Sequence, residues 1–243
     1  MRERARLASV GLLHAGDWLN VVPSPSLGLR LRGPEFIAAV KYRGGAEIFT
    51  RAGPCPACCR HSDVLGDHAL CCGQQGERIA RHNHLQDALF LATQSATLGP
   101  TKEGRFLLPG TDRRPADGLI PHWGGGRDAA LDLTVIKPLQ AATVVKASAT
   151  PGSALQVAFD HKVAGVGEAC RRQGLAFLPL AMDSQGGWRK VAEGEVRKLG
   201  SAVGRQKGQE ESEATSQLLQ KFSVLLMKGN CGMLLNSSPA DGE

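Results

Sequence analysis

Aromatic side chains are scarce. The chain has one tyrosine, and Phe, Trp and Tyr together make up 5% of it. A platform that binds single strands by stacking bases needs several exposed rings, so the composition argues against one. No apolar run is long enough to span a bilayer. The opening MRERARLASVGLLHAGDW has a basic head and a short apolar run, but His14 and Asp17 interrupt it. No small-residue cleavage site follows, so it does not read as a signal peptide. The expected location is nuclear or cytoplasmic, neither secreted nor in a membrane. No internal repeat is visible.

What is present points toward a folded, basic protein. The 243 residues suit one mid-sized domain or two small ones, and 42% hydrophobic residues are enough for a core. The net charge of +6 and pI of about 9.1 favour a polyanionic partner, most simply nucleic acid. On charge alone, a merely soluble basic protein is an equal reading. Of seven cysteines, five sit between Cys55 and Cys72. Such clustering reads as metal ligation in a reducing compartment rather than a disulfide framework.

Along the chain, residues 1–50 read as a loosely organised lead-in, with a short helix in PEFIAAVKYRGG that stops at Gly44–Gly45. This region could pack against something outside this chain. Residues 51–76 hold the cysteines and few core residues, and a stretch so short and polar needs a staple. The main folded domain is expected over 77–205, a further helix over 206–232 and a disordered tail over 233–243. Residues 77–95 read as a helix with Leu85, Ala88, Leu89 and Ala92 on one face. Strands are expected at 106–110, 116–120, 129–136 and 175–182. A helix is expected from Ser153, as N-cap, to about Arg172, and others near 188–203 and 214–228, the last stopping at Gly229–Asn230. This order argues for an α/β or α+β fold with a mixed central sheet.

Two constellations carry chemistry. The first is Cys55-Pro-Ala-Cys58, then His68 and Cys72. A C-x-x-C turn supplies two thiolates and an H-x-x-x-C half completes a tetrahedron, with zinc the expected ion in a closed, structural site. Cys59 and Cys71 are adjacent spares, so the choice between Cys71 and Cys72 stays open. The second is Arg114-Pro115-Ala116-Asp117, followed by Asp132-Leu133-Thr134. Asp132 falls inside an apolar strand, where a carboxylate is costly unless paired or metal-bound. Two carboxylates converging from neighbouring strands suit a hard divalent cation such as Mg²⁺, which activates water for attack on a phosphodiester. Lys162 is the preferred charge-stabilising cation, with Lys146 and Lys137 as weaker candidates. Equally, Asp117 could be a turn residue and Asp132 could be paired to an arginine.

The order C-x-x-C, GDHALCC, RHN, RPAD, DLTV and a lysine-bearing helix resembles the restriction-like endonuclease region of non-LTR retrotransposons, over roughly residues 14–190. The resemblance implies a PD-(D/E)XK-type core preceded by a zinc knuckle, and metal-dependent DNA cleavage. In the intact element the nick would prime reverse transcription, with a reverse-transcriptase domain and an RNA template as further partners. It implies Cys55, Cys58, His68 and Cys72 as zinc ligands, Asp117 and Asp132 as Mg²⁺ ligands, and Lys162 as the lysine displaced onto the helix. Arg81, His82 and Asn83 would lie near nucleic acid or the active site, with Arg114 in support and Glu103 as a further acidic group. The chain departs from the pattern at Ala116, where proline usually precedes the aspartate, and at Thr134, where lysine is expected. The rival reading is a non-catalytic, zinc-containing nucleic-acid-binding relic.

Overall fold

The structure, a computed structural model, describes residues 1–73, 76–102 and 116–239. In chain order its helices are α1 (Arg2–Val10), α2 (Gly33–Gly44), α3 (Asp67–Cys71), α4 (Glu77–Ser95), α5 (Val144–Ala149), α6 (Ser153–Lys162), α7 (Glu168–Arg172), α8 (Lys190–Lys207) and α9 (Glu211–Leu235). The strands are β1 (Gly53–Pro54), β2 (His61–Ser62), β3 (Thr101–Lys102), β4 (Gly118–Ile120), β5 (Ala129–Ile136) and β6 (Ala176–Asp183). The protein is mixed α/β with a mixed sheet.

The apolar run at 129–136 forms β5, the strand next to the centre of a four-stranded sheet ordered β3-β4-β5-β6. β4 runs antiparallel to both neighbours, a hairpin arrangement closed by the glycine-rich turn at 124–126. β5 and β6 are parallel over their full length, from Ala129 opposite Ala176 to Ile136 opposite Asp183. Parallel neighbours require a long crossover, which α5, α6 and α7 provide. A π-helical turn, Val163–Gly167, joins α6 to α7 directly after Lys162.

Helices α4, α8 and α9 pack with the sheet around the main core. On α4, Leu85, Ala88, Leu89 and Ala92 are all buried, as the spacing predicts. Burying a Leu or Phe side chain contributes roughly 2 kcal/mol. Leu133, Leu180, Met182, Phe222 and Leu226 are fully buried together in this layer. α8 and α9 approach closely because Gly200 faces Thr215: a Cβ at Gly200 would lie 2.6 Å from the Thr215 Cα.

Four expectations need correction. Residues 1–50 are not a loose lead-in. Ala38 and Ala39 of α2 join the main core, while Ala5 and Tyr42 join a second cluster with Leu70, Met233 and Leu234. The Ser9 hydroxyl bonds the Asp183 carboxylate, and Tyr42 and Ser184 share a hydroxyl–hydroxyl bond of 3.0 Å, so the end of β6 anchors both α1 and α2. Second, Gly229–Asn230 does not stop the last helix, and Met233 and Leu234, placed in the expected tail, are fully buried at its end. Third, Ser153 is the first residue of α6 rather than its cap. Gly152, at φ +75°, caps the helix, and Ser153 Oγ makes no hydrogen bond among the described residues. Fourth, α1 and α5 are helices that were not expected. The strand expected at 106–110 lies outside the described residues.

Candidate metal centre and carboxylate cleft

β1 and β2 form a small antiparallel hairpin that presents Cys55 and Cys58, and α3 follows it. Asp63 sets the second half of the cluster. Its Oδ1 accepts the N–H groups of Leu65 at 2.9 Å and Asp67 at 3.1 Å, and its Oδ2 accepts that of His68 at 2.8 Å. This caps the unsatisfied amides at the start of α3 and fixes His68 against the hairpin. Cys72 then follows with its N–H on the His68 carbonyl. Arg2 of α1 pairs with Asp67, through Nη2 at 2.9 Å among other contacts, and ties the knuckle to the body.

The ligand atoms of Cys55, Cys58, His68 and Cys72 all lie within 4.8 Å of one another. Cys55 and Cys72 Sγ atoms are 3.9 Å apart, and Cys58 Sγ lies 3.3 Å from His68 Nε2. A tetrahedral zinc with Zn–S bonds of 2.3 Å spaces its sulfurs at about 3.8 Å. Three soft sulfurs and one imidazole are a zinc donor set, so these residues could hold a zinc ion. Cys72, not Cys71, joins the cluster. Cys71 instead turns toward Gln140, its Sγ 3.9 Å from Oε1, and burial raises its thiol pKa. Cys59 is exposed.

The second site lies where β4 and β5 meet α4 and α6. Asp117, one residue before β4, donates its N–H to the Leu131 carbonyl at 2.8 Å. Its Oδ2 accepts the Leu133 N–H at 2.6 Å. Asp117 therefore bonds to both neighbours of Asp132 on the adjacent strand. Its Oδ1 lies 3.2 Å from His82 Nε2 on α4, and this contact raises the His82 pKa. Asp132 is 6% exposed. Its Oδ2 meets Lys162 Nζ at 2.8 Å, a charge contact rather than a well-directed hydrogen bond. Burial raises the Asp132 pKa despite Lys162, and the Asp117 charge adds to the rise.

These groups line one cleft of about 410 Å³, which Thr134 and Lys137 also line. A larger cleft of about 600 Å³ lies between α4 and α9, shares Arg81 with the first and lacks both strand carboxylates.

The RHN motif divides. His82 faces the carboxylates, whereas Asn83 is exposed and lines neither cleft. Arg81 is 3% exposed, and its Nη1 donates to Asn230 Oδ1 at 2.6 Å. Lys146 is exposed on α5. Glu103 and Arg114 lie outside the described residues. Sequence reasoning missed Arg78 as a cleft residue. Its position four residues before His82, one helical turn away, was the available signal. Trp188 packs edge-on against Phe222 and Trp123 donates to Glu195, so both serve the fold. Among the described residues no helix is long and apolar enough to cross a membrane.

No protein-family model matches this chain, and no curated protein matches it.

Proposed function

We propose that the protein is a metal-dependent DNA endonuclease of restriction-endonuclease-like architecture, stabilised by a structural zinc knuckle. The observation that carries this reading is the convergence of Asp117, Asp132 and Lys162, from two strands and one helix, on one cleft. The order helix, three strands, helices, strand around a mixed sheet agrees with it. So does the resemblance to retrotransposon endonucleases, which further suggests a reverse transcriptase as partner and nicking for target-primed reverse transcription.

Asp132 is almost buried and lines the cleft beside Asp117, and two carboxylates offer the oxygen donors that a hard cation takes. Asp117 and Asp132 would hold Mg²⁺, which when bound supplies Lewis acidity and an activated water. The chain's own groups do the rest. Lys162 stabilises negative charge developing on the phosphate. The Leu133 amide fixes the Asp117 carboxylate, and His82 holds it from the other side.

A second reading has its own support. Both carboxylates already have basic partners, and Thr134 stands where the motif's lysine is expected. A protein that kept the knuckle and the basic cleft but lost cleavage would bind DNA without cutting it.

Incubating the protein with supercoiled plasmid and Mg²⁺, beside Asp132→Ala, separates the two. Nicking that disappears in the variant is expected. Absence of nicking by folded, zinc-loaded protein overturns the enzyme reading.

A further inference from the structure

The cleft holds more basic groups than its carboxylates can pair. His82 is matched by Asp117 and Lys162 by Asp132. Arg78, Arg81 and Lys137 line the same cleft, and none has an ion-pair partner among the described residues. Arg78 and Arg81 are three residues apart on α4 and so share a face with His82. Lys137 follows β5 directly.

Arg81 is the unusual member. It is buried, yet its side chain's one hydrogen bond among the described residues goes to the neutral amide of Asn230, and its Nε has no partner. Burial without a counter-charge lowers its pKa to about 10 and also lowers that of Lys137. Removing a cation from water normally demands an anion or a full set of acceptors nearby. Here the fold supplies neither, and Arg81 lines this cleft as well as the larger one between α4 and α9.

We infer that Arg78, Arg81 and Lys137 form a phosphate-binding subsite that seats a backbone phosphate of duplex DNA beside the carboxylate pair. This rests on the nuclease reading for its substrate, but binding is a separate property from cutting. Phosphate contacts position a duplex without reading its sequence, and three cations lining the cleft would fix which phosphodiester reaches Asp117 and Asp132.

The test is fluorescence anisotropy of a labelled DNA duplex with the full chain, zinc-loaded and without added Mg²⁺, across a salt series. Arg81 is left intact because its loss could unfold the protein. Arg78→Gln and Lys137→Gln are combined instead, with equal thermal melting as the check on folding. Lys198→Gln, removing a lysine paired to Glu195 on α8, is the control. The double variant should bind at least ~10-fold more weakly at low salt, and its log K against log salt slope should shrink by about 1.8, two contacts' worth. An unchanged affinity and slope in the folded double variant overturns the subsite. So does inhibition of duplex binding by inorganic phosphate that ignores both substitutions. Parent protein that binds in this charge-dependent way but never nicks overturns the nuclease reading alone.

Discussion

Lys162 Nζ lies 2.8 Å from Asp132 Oδ2, so a helix that follows β5 neutralises a carboxylate buried within it. The pair would, under the nuclease reading, stand in for the strand lysine that the motif expects where Thr134 lies. Under the nuclease reading, Lys162→Met should slow plasmid nicking by about 100-fold or more, the usual loss when a charge-stabilising group is removed. Duplex affinity should stay close to the parent value. The pH dependence adds a sharper readout. Burial already holds the Asp132 pKa above the ordinary carboxylate range, and Lys162 opposes that rise. Removing the lysine raises it further, so the acid limb of the rate profile should move to higher pH. A slower variant with an unmoved limb would mean that Lys162 does not act through Asp132.

The knuckle offers a test that needs no catalytic assumption. Cys72 belongs to the ligand cluster and Cys71 does not. Cys71→Ser should therefore keep one equivalent of zinc, while Cys72→Ser should lose it, as read by metal content after purification. The fold should register the loss as well. Leu70 of α3 sits in the second core cluster with Tyr42, Met233 and Leu234, so freeing α3 exposes apolar surface and lowers the melting temperature. Zinc lost from Cys71→Ser and kept by Cys72→Ser would return the fourth ligand to Cys71.

Much of the sheet was legible because its signals are local. Asp132 in an apolar strand, glycines at the hairpin and the 3.6-residue pattern of α4 each lie within a short window. The Cys3His cluster was legible from spacing, but the choice of Cys72 over Cys71 was not, since adjacent residues share nearly the same spacing and only the direction of α3 separates them. In the first fifty residues α2 and its stop at Gly45 were legible, but the attachment of this region to the body was not, because it is long-range. Ser9 reaches Asp183, and Tyr42 reaches Ser184, and neither contact leaves a trace near its own position. The His82–Asp117 pairing was equally hidden, being set by how α4 lies across the sheet.

Gly229–Asn230 misled for an instructive reason. Glycine followed by asparagine resembles a helix stop, yet α9 runs through both. Gly229 is required by the side chain of Arg81, because an added Cβ would lie 2.3 Å from Arg81 Cγ. Asn230 is buried, accepting from Arg81 and donating to the Ser184 carbonyl at 2.8 Å. In an open helix, glycine to alanine gains about 1 kcal/mol of propensity. Here Gly229→Ala should instead destabilise the protein by about 1–2 kcal/mol in urea unfolding, since overpacking a filled site outweighs that gain. A stabilised variant would show that Arg81 yields easily and does not hold α4 to α9.

Asp183 gives a prediction whose sign depends on pH. It is fully buried, and desolvation raises its pKa to about 6, even though Ser9 and the N–H groups of Gln185 (2.9 Å) and Gly187 (3.0 Å) bond its carboxylate. The folded state thus holds a proton that the unfolded chain, with a carboxyl near 3.9, has already released. That contribution to stability is complete below about pH 4 and is lost as pH rises through about 6. Asparagine keeps an oxygen for the two amides and offers its own N–H to Ser9, but it never ionises. Asp183→Asn should therefore gain on the parent as the pH rises, by about 1 kcal/mol between pH 5 and pH 8. Urea unfolding of both proteins at the two pH values measures this directly. A gap that does not widen would mean that Asp183 is ionised in the fold throughout, held by its amides and Ser9 rather than penalised by burial.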